Sequence, residues 1–330
     1  KHIKVRKGKV ADGFAEADVI VERTYRTPRT EHMFLEPECS IGIPAGYDPS
    51  SFGGSTDETS RRGVHHRHDK VTVYCGTQIP RRDVEQIAAS MDLPEDQVRV
   101  VATLMGGGFG GKEDVAAQIH VALLAQKVQR PVKMLFRRDE SMLFHPKRHA
   151  TVIRMKTGVK RDGTLTAVQA ELVGDAGAYA SLSTKVLKRA TTHATGPYNI
   201  SHAKVDCYAM FTNNPPSGAF RGFGVTQSAF AVESNIDIVA RELGMDPLEL
   251  RRKNALRVGS TTATGQVLRE SASLVDCIDW VRERVRELAE EPAPDAGLAK
   301  SRIGWGIACA YKNTGFGGGA PDNAGAEVEV

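Results

Sequence analysis

Five glycines fall between Gly106 and Gly111, interrupted only by Phe109, and Lys112, Glu113 and Asp114 follow at once. A stretch so bare of side chains offers consecutive backbone N–H groups, which attract an anionic or oxo-bearing ligand. The stretch satisfies G-x-G-x-x-G through Gly106, Gly108 and Gly111, the pattern of a dinucleotide-binding loop. It also comes within one residue of the phosphate loop G-x-x-x-x-G-K-[ST], where Glu113 stands in place of the magnesium-binding hydroxyl. Neither pattern suffices alone. A dense glycine run matches several patterns by chance, the ribose-binding acid would have to be the rather distant Asp139, and Glu113 would set a carboxylate against phosphate. A turn that merely lets strand and helix pack closely is the third alternative.

A second stretch, "PPSGAFRGFG", decides against the plain turn. It places Arg221 between Phe220 and Phe223, with Gly218, Gly222 and Gly224 removing side chains around it. A permanently charged guanidinium in such a setting is suited to holding an anion or a developing negative charge. A salt bridge to a carboxylate would not call for so many glycines.

The elements that must position these loops are legible from period and punctuation. "ADVIVERTY" alternates as a strand does, and "CSIGIP" and "KVTVYCGT" read as two more around a polar insert, 45–69. "RRDVEQIAASMDL" has helical spacing and ends at Pro94; "QVRVVATLM" is a β-branched strand running into the glycines. "EDVAAQIHVALLAQKV" predicts a helix whose first turn carries Glu113 and Asp114, as the helix dipole prefers. The strands "PVKMLF", "HATVIRMKTGVK", "GTLTAVQAELVGDAG" and "AKVDCYAMFT" follow, with a hairpin turn at Asp162-Gly163, and predict an antiparallel sheet. Helices are expected from Thr226 to Leu243, from Asp246-Pro247 to Asn254, and over "LVDCIDWVRERVRELAE"; an acidic, Pro-rich linker and a closing strand with a glycine turn come last.

The 330 residues, 41% apolar, are enough to bury a substantial core in one large or two ordinary domains. The 44 basic and 40 acidic residues are interspersed, so no single-sign face tracks a nucleic-acid backbone. The one basic cluster, Arg61, Arg62, His65, His66, Arg67 and His68, reads as a solvated loop in a Gly/Ser-rich stretch. Five widely spaced cysteines, with no C-x-x-C pair, indicate neither a disulfide framework nor a zinc or iron–sulfur cluster, and a reducing, cytoplasmic setting is expected. No apolar run approaches the roughly 20 residues that span a bilayer, so no membrane partner is expected. Lys1 at the start and "EVEV" at the end suggest that both ends continue into further chain.

"EHMFLEPECSIGIP", "GTQ", "MGGGFGGKED", "AFRGFGVTQ" and "DPLELRRKNAL", in that order, make the sequence similar to the molybdenum-cofactor subunit of the xanthine dehydrogenase and aldehyde oxidase family. The resemblance covers nearly the whole chain. It implies an α+β molybdenum-cofactor-binding domain of two mixed sheet and helix subdomains: residues 1–28 as a linker from a preceding domain, 29–150 with the glycine loop, and 151–330 with the "AFRGFG" loop. It also implies molybdenum held by molybdopterin, in which the cytosine dinucleotide form is one alternative, and not by protein side chains.

The resemblance implies roles residue by residue. Gln78 matches a glutamine that donates a hydrogen bond to an oxo group on molybdenum, and Gly107, Gly108, Phe109, Gly110 and Gly111 match the segment lying against the metal centre. Ala219, Phe220 and Arg221 match the opposite cofactor wall. Glu113 matches the glutamate that binds the heterocycle in purine-oxidising members, and Arg221 the arginine that stabilises negative charge on the ring. Phe109, Phe223 and Phe316 are the expected substrate-lining aromatics. Near "QVLRESASL", Ser271 or Ala272 stands where xanthine enzymes place a stacking phenylalanine, which puts xanthine itself in doubt beside nicotinate or another purine or pyridine. The general-base glutamate and most pterin anchors are expected in a complementary C-terminal half or subunit, so this chain alone should be inactive. Iron–sulfur and FAD subunits are the implied partners. A nucleotide-binding oxidoreductase using the G-x-G-x-x-G loop, or a non-catalytic scaffold subunit, are the competing readings.

Overall fold

A computed structural model describes residues 1–48, 68–290 and 306–312. The expectations for Arg61 to Arg67, the 291–297 linker, Phe316 and the terminal "EVEV" lie outside the described residues. In chain order the strands are β1 His2–Lys7, β2 Val19–Thr27, β3 Cys39–Ile43, β4 Val71–Cys75, β5 Val98–Ala102, β6 Val132–Leu135, β7 Thr151–Val159, β8 Leu165–Gly177 and β9 His202–Phe211. The helices are α1 Val10–Ala15, α2 Pro80–Met91, α3 Gln118–Val128, α4 Arg138–Phe144, α5 Ser183–Thr192, α6 Val225–Leu243, α7 Pro247–Asn254 and α8 Leu274–Glu290.

Two sheets result: a larger one in the order β1-β9-β8-β7-β2 and a smaller one in the order β5-β4-β3-β6. Residues 1–28, expected as a linker, instead supply both edges of the larger sheet. β1 pairs antiparallel with β9, and β2 with β7 from Val19↔Val159 to Thr27↔Thr151. Alternation explains it, since Val5 and Val21 turn inward and are buried while their neighbours face water.

The larger sheet is mixed, not antiparallel as predicted, because β8 runs parallel to β9. Parallel neighbours need a crossover. α5 provides it, burying Val186, Leu187 and Ala190 on one stripe. With α6, whose Ala231, Val232, Ile236 and Val239 lie against the same sheet, it closes the main core. Asp246 caps α7 as predicted, its carboxylate accepting the Glu249 N–H at 2.8 Å. Gly306–Lys312, part of the expected closing strand, enters no strand.

The smaller sheet packs α2 and α3 around Val71, Val73, Cys75, Ile87, Val98 and Val121. In it β4 and β5 are parallel neighbours, joined through α2. Their C-terminal ends therefore lie side by side, the place where open α/β sheets bind ligands. Gln78 follows β4 and the glycine loop follows β5.

The helix after that loop starts at Gln118, later than predicted. Gly111–Glu113 form a single tight turn, and Asp114 is extended (φ −126°, ψ 147°). Two side-chain attachments pull this stretch out of helical register: Lys112 inward to Glu36, and the Asp114 carboxylate to the Ser181 hydroxyl at 2.6 Å. Glu113 and Asp114 thus precede the helix, and both are partly buried.

Candidate cofactor site

The two glycine-bordered loops meet. The Arg221 N–H donates to the Phe109 carbonyl at 2.8 Å, and a Cβ on Gly110 would stand 3.0 Å from the Ala219 carbonyl carbon. At φ +92° Gly110 also occupies a conformation that L side chains rarely adopt. Gly107, Gly108, Phe109, Gly110 and Gly111 therefore form one wall, and Ala219, Phe220 and Arg221 the one beside it.

Gln78 organises the first wall. Its Oε1 accepts the N–H groups of Gly110 (3.0 Å) and Lys112 (3.2 Å), and its backbone N–H donates to the Lys112 carbonyl at 2.9 Å. With the oxygen committed to two donors, the amide NH2 is left, among the described residues, without a protein acceptor. Among the described residues, the N–H groups of Gly107, Gly108 and Phe109 have no protein acceptor. Three consecutive free amides beside a free carboxamide NH2 make a cradle of donors, the chemistry an oxo- or phosphate-bearing group requires.

Phe109 reaches this wall in a left-handed conformation (φ +53°) with its ring packed over Gly107. Glu113 is half-buried. Burial raises its pKa above the ordinary carboxylate value, and the neighbouring Asp114 charge adds to the effect, while Lys185 opposes it. Asp114 is raised by burial as well.

Arg221 is exposed and, among the described residues, meets no carboxylate. The expectation that Phe220 and Phe223 wall it in is corrected. Phe220 stacks on His32 (4.0 Å between ring centres) with the Arg148 guanidinium 3.9 Å over it, and Phe223 lies by Arg189, 5.7 Å away. The second loop is shaped by Arg148, which donates to the Arg221 carbonyl at 2.8 Å and to the Thr226 hydroxyl at 2.7 Å.

The nucleotide alternatives fit poorly. Lys112, the would-be phosphate lysine, is buried in an ion pair with Glu36, whose carboxylate also accepts the Gly106 N–H, and its ammonium lies 4.6 Å over Phe34. Burial opposes ionisation of Glu36, but the Lys112 hydrogen bond holds its pKa below the usual value. Asp139, the would-be ribose ligand, is exposed and bonded to Arg137 at 3.1 Å. No α-helix begins at Gly106 to Gly111, only the single tight turn Gly111–Glu113.

Sequence reasoning assigned no role to Glu36, Lys112, His32, His145 or Arg148, although "EHMFLEPE" contains both His32 and Glu36. The His145 Nε2 bonds the Gly111 carbonyl at 2.6 Å, and the His32 Nε2 bonds the Ala219 carbonyl at 2.7 Å. Glu31, His32 and His145 bring ligand-type atoms within 4.8 Å of one another. A metal ion there would meet the Lys147 ammonium, already 2.6 Å from Glu31. Burial opposes ionisation of Glu31, yet hydrogen bonds from His145 and Lys147 and their charge lower its pKa to about 2. The cluster is therefore already neutralised without a metal.

The sequence profile of the molybdopterin cofactor-binding domain matches residues 1–50 and 58–255. The chain is 41% identical over 288 residues to the nicotinate dehydrogenase large molybdopterin subunit of Eubacterium barkeri, covering 87% of this chain and 62% of that protein. It is 40% identical over 247 residues to a probable xanthine dehydrogenase component of Bacillus subtilis, covering 75% and 30%. Among solved structures, the aldehyde oxidoreductase of Desulfovibrio gigas superposes with a TM-score of 0.77 at 30% identity, over 89% of this chain and 30% of that one. The chain thus spans less than two thirds of each.

Proposed function

The chain belongs to the molybdopterin cofactor-binding domain family, in the xanthine dehydrogenase and aldehyde oxidase group of molybdenum hydroxylases, and from that premise we propose that it oxidises an N-heteroaromatic substrate. The single observation that carries the reading is the meeting of the two loops, in which the Arg221 N–H bonds the Phe109 carbonyl next to the glycines that the Gln78 carboxamide holds. When bound, the molybdenum cofactor supplies a two-electron oxidation in which a substrate C–H becomes C–OH, with the oxygen drawn from water and two protons and two electrons released.

The rest falls to side chains and amides. Gly107 to Gly111 and Gln78 hold the oxo-bearing face by hydrogen bonds, and Ala219 and Phe220 border it. Glu113, biased by burial toward its neutral form, hydrogen-bonds a ring nitrogen or carbonyl of the substrate. Arg221 stabilises the negative charge that builds on the ring as the water-derived oxygen adds to the ring carbon, before the C–H electron pair departs. Phe109 and Phe223 offer apolar surface to the ring. The exposed guanidinium of Arg221 favours an ionised ring such as a nicotinate-like carboxylate.

On this reading the remaining pterin anchors and the general base come from a complementary C-terminal portion, and electrons leave through iron–sulfur and FAD subunits. The cytosine dinucleotide form of the pterin and a cytoplasmic location are part of the same proposal. Among the described residues, no helix is long and apolar enough to cross a membrane. Turnover of a pyridine or purine substrate by the native complex in ¹⁸O-water tests the reaction class. Label appearing in the product is expected, and product oxygen traced to O2 would refute it.

A further inference from the structure

We propose that His32 and His145 are positioning residues, a pair of buried imidazoles that together fix the gap between the two cofactor-site loops. The inference rests on the reading of those loops as cofactor walls.

A carbonyl oxygen only accepts, so each Nε2 that bonds one must carry its hydrogen. His145 therefore donates to Gly111 in the first loop, and His32 donates to Ala219 in the second. The two rings meet edge to face at 5.1 Å and 86°, so neither loop can shift without displacing the other's anchor. Both rings are almost fully buried. Burial is the first cause that lowers the His32 pKa, to about 4, which keeps its ring neutral and its tautomer set by Ala219.

Beneath the rings lies a fixed base. Glu31 accepts the His32 backbone N–H at 2.9 Å and pairs with Lys147 at 2.6 Å, and its Oε1 lies 3.6 Å from His145 Nδ1 and 3.9 Å from His32 Nδ1. Above them there is no slack. A Cβ on Gly111 would stand 2.8 Å from His145, 2.9 Å from His32 and 2.9 Å from Phe34, so the loop already rests on the three rings.

Peptide geometry carries this anchoring to the opening. In a trans peptide the carbonyl and the next N–H point in opposite directions. With the Gly111 carbonyl drawn down to His145, the Lys112 N–H faces Gln78 and helps fix its oxygen. With the Ala219 carbonyl drawn to His32, the Phe220 N–H turns away from the imidazoles. The separation of the donor sets thus follows from the reach of two imidazoles, and displacements of about 1 Å in such sets cost about 10²-fold in rate.

The test uses the native complex with four variants. His32→Leu and His145→Leu keep volume and remove the donor; His32→Gln and His145→Gln return an N–H near the Nε2 position. Molybdenum and pterin per folded chain are measured alongside kcat and KM. Each Leu variant is expected to keep less than a tenth of the parental cofactor, and each Gln variant to stay within threefold of the parent. Because both residues hold one gap, the double Leu variant should lose less than the product of the single losses. Parental cofactor content and kcat/KM in folded Leu variants would overturn the proposal, as would Gln variants no better than Leu. Where a Leu variant fails to fold, the Gln variants decide: near-parental loading supports the clamp, and a tenfold loss overturns it. Molybdenum in the parent but unchanged in the Leu variants sinks the clamp alone, whereas an active parent without molybdenum sinks the reading beneath it.

Discussion

The core of the larger sheet and the shell around the two loops treat buried polar groups in opposite ways. In the core, Glu233 accepts from Arg251 (2.8 Å), Tyr198 (2.7 Å) and the Cys309 N–H (2.8 Å). Asn235 links Tyr25 to Thr157, and Asn254 accepts from Leu165 while donating to Gly163 and Leu250. Around the loops, neither oxygen of the buried Glu38 is hydrogen-bonded, and the His32 Nδ1 and one Asp114 oxygen stand without a hydrogen-bond partner. His149, Thr166 and His193 are exceptions on the core side. Saturated networks hold one conformation, while donors and acceptors left open at a cleft are what a ligand completes.

That division is broken or sharpened by substitution. The largest stability effect is expected at Glu233. Glu233→Leu leaves the fully buried Arg251 guanidinium with the half-exposed Asp237 as its one carboxylate, beside the Pro247 and residue-233 carbonyls, and should cost about 3 kcal/mol or more, read as a lower thermal midpoint. Molybdenum per surviving folded molecule should not change. Arg221→Met should do the reverse, lowering kcat by about 10²- to 10³-fold with little effect on the midpoint, since the residue is exposed and unpaired. Unchanged turnover would remove it from the chemistry.

A smaller effect separates charge from packing at Asp83, which is buried at the start of α2 with its pKa raised by burial to about 6. Its folded pKa lies above the ordinary value of 3.8, so the ionised form is penalised and its contribution to stability is lost as pH rises through that window. Asp83→Asn should therefore stabilise by up to about 3 kcal/mol above pH 7 and by little below pH 4, a difference that thermal melts at the two pH values read directly. The smallest effect is expected at the α7 cap, where Asp246→Ala should cost about 1 kcal/mol at both pH values and leave cofactor content alone.

Much of this was legible in the sequence, for reasons that differ by residue. Gln78, the glycines and Arg221 stood out because they are unusual residues in unusual company, and the fold brings their two loops together. β7 and β8 were readable from alternation, and α7 from Asp246-Pro247. What escaped were features set by distant partners. α5 hides its apolar stripe among threonines and lysines, so the parallel β8–β9 pair went unseen. The late start of α3 depends on Glu36 and Ser181, which lie 76 residues before Lys112 and 67 after Asp114. Phe220 looked like a wall for Arg221, but its partners are His32 and Arg148, brought in by the fold.

The most direct measurement is the molybdenum and pterin content of the native complex, for the parent and for Gly110→Ala, which forces a side chain onto the Ala219 carbonyl at a left-handed position. Near one of each per parental chain, with less than a tenth retained by a folded Gly110→Ala variant, is the predicted result. An active parental complex free of molybdenum, or a variant loaded as fully as the parent, would contradict it.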